Sequence, residues 1–171
     1  MKKIVLTALL LLMSLSGFHA AQAAPFAKVG QVASDFSLTT LDGNSFKLSE
    51  HKGKKPVYLV FWASWCPSCK AEIPAIKAIH KQLKGEMEIV AINVAVNDSL
   101  AKVQRYVDRF EIPYAVAFDQ ESKVTAQYGV QGIPTQIIID INGVIRYRNT
   151  VSPENVAAYL TVKTASAAAA E

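Results

Sequence analysis

Residues 57–74 read VYLVFWASWCPSCKAEIP, and this stretch decides the fold. Val57 to Trp62 is a nearly unbroken apolar run behind Pro56. Such a run suits a central strand buried on both faces of a sheet. Beyond Cys66 and Cys69 the pattern turns helical. Ile73, Ile76, Ile79 and Leu83 recur at three- and four-residue steps, with Lys70, Lys77, Lys81 and Lys84 largely on other faces. Gly85 ends the pattern. Pro74 falls inside it and is expected to kink the helix, because proline lacks the N–H donor and crowds the preceding turn. A pair of thiols therefore sits where a buried strand hands over to a helix.

That position carries chemistry. A helix N-terminus offers free N–H groups and a partial positive charge. A thiolate placed there is stabilised, so it is expected to titrate below the free-thiol value of ~8.5. The spacing puts Cys66 at the exposed end and Cys69 one turn inside. Cys66 would attack a disulfide and Cys69 would resolve the mixed disulfide that forms. A static structural disulfide is the plain alternative. It would close a loop of a few residues, which removes little entropy from the unfolded chain. Two thiolates could also hold Cu(I), as in a metallochaperone. They cannot alone fill a four-ligand zinc site. His51 and His80 lie far from the pair in sequence, so no metal site and no cofactor are assigned.

Working outward, the 171 residues suit one domain, and 51% hydrophobic against 19% charged residues excludes a disordered chain. Residues 1–23 read as a signal peptide: Lys2 and Lys3, an apolar stretch from Ile4 to Leu15, then Ala21-Gln22-Ala23. The apolar stretch is about 12 residues, short of the ~20 a membrane span needs. Cleavage takes Lys2 and Lys3 from the 18 basic residues, leaving 16 against 14 acidic ones, a charge of +2. With no basic stripe interleaved with aromatics, nucleic acid is disfavoured as a partner. Export implies the periplasm, an oxidising compartment. The domain is expected over 24–163, with 164–171 a disordered small-residue tail.

The remaining pattern alternates strands and helices. Phe36 to Leu48, with a turn at Asp42-Gly43-Asn44, signals a hairpin. Strands are expected at 89–94, 114–118, 135–140 and 144–148, the last two joined by the Asn142-Gly143 turn. A helix capped by Asp98 or Ser99 reaches Phe110, and a short one runs from Glu121 to Tyr128. Ser152-Pro153-Glu154 reads as the start of a final helix to about Val162. This is the signature of an α/β fold with a mixed sheet.

Phe61 to Pro74 resembles the active-site stretch of exported thioredoxin-like proteins of the TlpA/ResA-like group. Gly30 to Leu38 with Asp42-Gly43 resembles the N-terminal hairpin that this group shares with peroxiredoxins. Gly132-Ile133-Pro134-Thr135 resembles the loop carrying the family's cis-proline. The stretch from Cys66 to Pro134 is longer than in minimal thioredoxins, and its extra segment at 98–118 resembles an inserted αβ element. The resemblance implies a thioredoxin fold: a mixed central sheet flanked by helices, with an N-terminal β-hairpin and that insertion.

It also implies a thiol-disulfide oxidoreductase, working mainly as a reductant of protein disulfides, in cytochrome c maturation or cysteine protection. Cys66, Cys69 and Pro134 would be catalytic. A cis Ile133–Pro134 bond would offer the Ile133 backbone for pairing with a substrate, and Trp65, Pro67 and Thr135 complete the expected binding surface. Trp65 either shapes that surface or packs. Glu72 either handles the Cys69 proton or serves as an acid near a helix N-terminus. Thioredoxins carry a buried acid where this chain has Val60, so Glu72 or water becomes the proton route. A monomer drawing electrons from a membrane donor is expected. A DsbA-like oxidant uses the same site with the opposite poise. A thiol peroxidase would need P-x-x-x-T/S-x-x-C, but Leu59 and Ala63 occupy the key positions.

Overall fold

A computed structural model describes residues 27–160. The expected signal peptide at 1–23 and tail at 164–171 lie outside the described residues. Strands β1 (Ser37–Thr39) and β2 (Ser45–Lys47) form the expected antiparallel hairpin. Gly43 closes its turn at φ +84°, a conformation glycine adopts without steric cost. The main sheet comprises β3 (Val57–Trp62), β4 (Glu88–Asn93), β5 (Ala115–Phe118), β6 (Thr135–Ile139) and β7 (Ile145–Asn149). Their order is β5-β4-β3-β6-β7. β3, β4 and β5 run parallel, whereas β6 and β7 are antiparallel to their neighbours. The sheet is mixed and flanked by helices, a thioredoxin fold with an N-terminal hairpin.

The apolar run of β3 sits at the centre because every one of its six residues is buried. All five residues of β6 beside it are buried too. Helix α1 (Pro67–Gln82) buries Cys69, Ile73, Ile76 and Ile79, the stripe its periodicity required. Pro67 stands at the helix start, where a missing N–H costs nothing, and Pro74 lies within it. Helix α2 (Leu100–Arg109) is capped by the Ser99 side chain, which accepts from Lys102 N. α2 and β5 are the segment expected as the αβ insertion, and β5 forms one edge of the sheet.

One helix differs from expectation, and another is held by a residue outside it. The segment after Ser152 is no capped α-helix over the described residues; it holds one 3-10 turn at Val156–Tyr159. Ser152 is engaged elsewhere: its N–H and its hydroxyl both donate to Glu72 Oε2, at 2.8 and 2.7 Å. Helix α3 (Lys123–Gln127) has Ser122 at its cap position in the left-handed region, φ 51°, with no side-chain cap bond. Buried Asp119 does that work, accepting from Thr125 N and Thr125 Oγ1 at 2.8 and 2.7 Å.

The segment before and after β1 covers part of both sheet edges. Along β7, Gly30 N donates to Ile145 O, Ile145 N to Gln31 O, and Ala33 N to Gly143 O. Along β5, Thr40 bridges Ala117, and Leu41 N donates to Val116 O at 2.8 Å. Open edges invite pairing with other chains, and these contacts occupy part of each.

Candidate active site

β3 ends at Trp62, and the three residues Ala63, Ser64 and Trp65 lead to the cysteines. Cys66 is the N-cap of α1 with extended backbone, and Cys69 lies in its first turn. The pair is disulfide-bonded, with Cα atoms 5.3 Å apart. The Cys69 N–H points at Cys66 Sγ, 3.1 Å away. Negative charge on Cys66 would meet that donor and the positive end of α1. Cys66 was expected to be exposed, yet both cysteines are only 5% exposed. The walls of the approach explain the difference. The Ile133 carbonyl oxygen stands 3.8 Å from Cys66 Sγ, and the motif packs into the core beneath it.

The Ile133–Pro134 bond is cis. Pro134 and Thr135 are buried, Ile133 partly so. Thr135 Oγ1 donates to Gly132 O at 2.6 Å, which fixes the turn rather than facing outward. Trp65 is half exposed, and its indole N–H donates to Val96 O at 2.7 Å. Pro67 is exposed beside it. Cys66, Trp65 and Pro67 thus belong to one corner of the molecule, with the Ile133 backbone opposite Cys66.

Glu72 is committed to three hydrogen bonds on one oxygen: Ser152 N, Ser152 Oγ, and Gln136 Nε2 at 2.9 Å. Partial burial pushes its pKa up, but the hydrogen bonds from Ser152 and Gln136 outweigh that and hold it below the usual carboxylate value. Gln136 is fully buried in β6 and also accepts from the Tyr58 hydroxyl. Glu72 therefore ties α1 to β6 and to the segment after β7.

A second carboxylate braces the motif from the other side. Asp98 accepts from Ser64 N and Ser64 Oγ, each at 2.7 Å, and from Asn93 Nδ2 at 2.9 Å. Desolvation works against ionisation, and the bonds from Ser64 and Asn93 overcome it, so Asp98 also titrates below its ordinary range. The sequence suggested Asp98 only as a possible cap for α2; Ser99 fills that role. No local signal linked Asp98 to Ser64, 34 residues away. Among the described residues no three His, Cys, Asp or Glu side chains gather as a metal site.

The Redoxin family model matches residues 28–166. The chain is 37% identical over 118 residues to the thioredoxin-like protein YneN of Bacillus subtilis, covering 68% of each chain. It is 33% identical over 135 residues to the thiol-disulfide oxidoreductase ResA of Geobacillus kaustophilus, covering 77% of this chain and 76% of that one. Among solved structures it resembles a Chlorobium tepidum protein proposed to be the thiol:disulfide interchange protein DsbE. That match has a TM-score of 0.69 and 30% identity, over 78% of this chain and 99% of that one. A secreted Mycobacterium tuberculosis disulfide oxidoreductase matches with a TM-score of 0.60 and 25% identity, over 70% and 84% of the two chains.

Proposed function

This chain belongs to the Redoxin family and is a thiol-disulfide oxidoreductase, and from that premise we propose that it reduces protein disulfides in the periplasm. The observation that carries the reading is the Cys66–Cys69 pair at the N-terminus of α1, with the Ile133 carbonyl 3.8 Å from Cys66 Sγ. Reduced Cys66 attacks a client disulfide, and one client sulfur leaves as a thiolate. Cys69 then attacks Cys66 Sγ, which restores the intramolecular disulfide and frees the second client sulfur. The client backbone pairs with Ile133, held by Pro134 and Thr135, and its flanking surface rests on Trp65 and Pro67. Glu72 keeps the first turns of α1 in register with that surface.

The reading as a reductant draws on the resemblance of Phe61 to Pro74 to the TlpA/ResA-like group and on neutral Ser68 beside Cys69, which adds no charge to favour the thiolate form. Residues 1–23 would direct export. A membrane donor would return electrons to the disulfide, and cytochrome c maturation or cysteine protection is the setting. The protein works as a monomer. Equilibration with dithiothreitol or glutathione buffers tests the direction. A potential nearer ~−270 mV than ~−120 mV is expected; a value above about −180 mV overturns the reductant reading and makes the protein an oxidant.

A further inference from the structure

Val60 leaves the buried thiol without the carboxylate neighbour that thioredoxins have, and the structure offers something else at the same place. A small cavity of about 20 Å³ is lined by Cys69 and Val60, with Trp62, Ala91, Tyr106 and Tyr114 among its other walls. Two of these side chains bring a buried polar atom that has no hydrogen-bond partner among the described residues: the Trp62 indole N–H and the Tyr106 hydroxyl. Trp62 is 5% exposed, and the two rings lie 5.0 Å apart between centroids. Buried donors left unpaired are costly, and Trp62 and Tyr106 both line this cavity, so one partner held there would relieve both. A water needs roughly 10–15 Å³ and two to four polar partners. This cavity has the room, and three of the residues that line it, Trp62, Tyr106 and Cys69, carry a group that could bond to a water.

We propose that the cavity holds one water that accepts from the Trp62 N–H, bonds to the Tyr106 hydroxyl, and donates to the Cys69 sulfur whenever that sulfur is a thiolate. The inference rests on Cys69 being the resolving thiol. In the mixed disulfide Cys69 loses its proton and its thiolate bonds to Cys66 Sγ. The bond between Cys66 and the client sulfur breaks, and that sulfur leaves with the electron pair and takes up one proton. The water gains and loses nothing in this step; it stabilises the thiolate while the proton is gone. Trp62 and Tyr106 are positioning residues that hold it.

Tyr106 and Tyr114 line the cavity beside Cys69, and Glu72 and Lys70 lie on its helix. Burial raises Tyr106 on α2 and Tyr114 before β5, so both stay neutral where thiols ionise. Glu72 on α1 is already ionised there, since the bonds from Ser152 and Gln136 more than offset its partial burial. Lys70 on the same helix turns its ammonium over the Phe110 ring, 5.2 Å from the centroid. A pH midpoint in the resolving step therefore reports on the cysteines.

Stopped-flow reaction of the reduced protein with dithiobis(nitrobenzoate) separates the steps. The first chromophore leaves when Cys66 attacks, the second when Cys69 resolves. Tyr106→Phe keeps the ring and removes the hydroxyl. Its first phase should match wild type. Its second should be about tenfold slower at neutral pH, as for loss of a hydrogen bond to a charged group. The second-phase pH midpoint should rise by about one unit. Ala91→Val fills the cavity and leaves both polar side chains in place, so it should slow the second phase in the same way. A Tyr106→Phe second phase that overlays wild type overturns the proposal. If that variant does not fold, an unchanged second phase in Ala91→Val does the same. A wild-type protein that releases only one chromophore sinks the resolving role of Cys69 itself, and with it the proposed order of attack.

Discussion

At the scale of single residues, the site combines a shielded nucleophile with two ionised braces. Cys66 is 5% exposed, so a client must bring its sulfur into a narrow approach beside Ile133. If Cys66 attacks and Cys69 resolves, Cys69→Ala should accumulate mixed disulfides on non-reducing gels, and Cys66→Ala should accumulate none. Trapping by Cys66→Ala and not by Cys69→Ala would reverse the assignment. Glu72 allows a pH test. Its folded value lies below its ordinary one, so its contribution is full above the ordinary carboxylate range and is lost as pH falls through the folded value. Glu72→Gln should cost about 1 kcal/mol at neutral pH, trimmed by solvent screening. Urea melts should show that gap closing on acidification; a gap constant down to strongly acid pH would contradict it. The Cys66 and Cys69 pair was legible from the strand and helix around it, and the cis Ile133–Pro134 bond only from the resemblance of Gly132 to Thr135 to a family loop. Asp98, Gln136 and Ser152 were not, because their partners lie 34, 64 and 80 residues away.

At the scale of elements, burial pattern and caps account for most of what was legible. β3, α1, β4 and β6 follow from apolar runs and a three-four periodicity that burial confirms residue by residue. Caps were legible only when local. Ser99 caps α2 from the adjacent position, whereas Ser152 has the same local credentials and is drawn away by Glu72. α3 is too short to hold itself together in isolation. It relies on Asp119 at one end. At the other, Arg148 donates to Tyr128 O and Gly129 O, each at 2.9 Å. Asp119→Ala should therefore destabilise the protein by about 2–3 kcal/mol by orphaning buried donors. Ser99→Ala should cost about 1 kcal/mol, as for an ordinary exposed cap. Equal costs in denaturant titrations would contradict the ranking.

At the scale of the whole molecule, residues 30–41 hold the ends of the sheet as well as forming a hairpin. Ala33→Pro removes the N–H that bonds Gly143 O and should loosen the strap along β7. Hydrogen exchange at the Ile145 amide, which donates to Gln31 O, should quicken, while exchange in β3 should not. Protection of Ile145 equal to wild type would show that the strap holds without that bond. The strap also sets a timetable. Its partners are β5 and β7, and central β3 takes β6 as one neighbour, so the earliest part of the sequence waits for the latest. Any machinery that handles this polymer from its first residue, whether a ribosome or a narrow translocation channel, meets a thread that cannot lock until β7 has followed. The architecture itself postpones knotting up the thread, without a separate device to keep it loose.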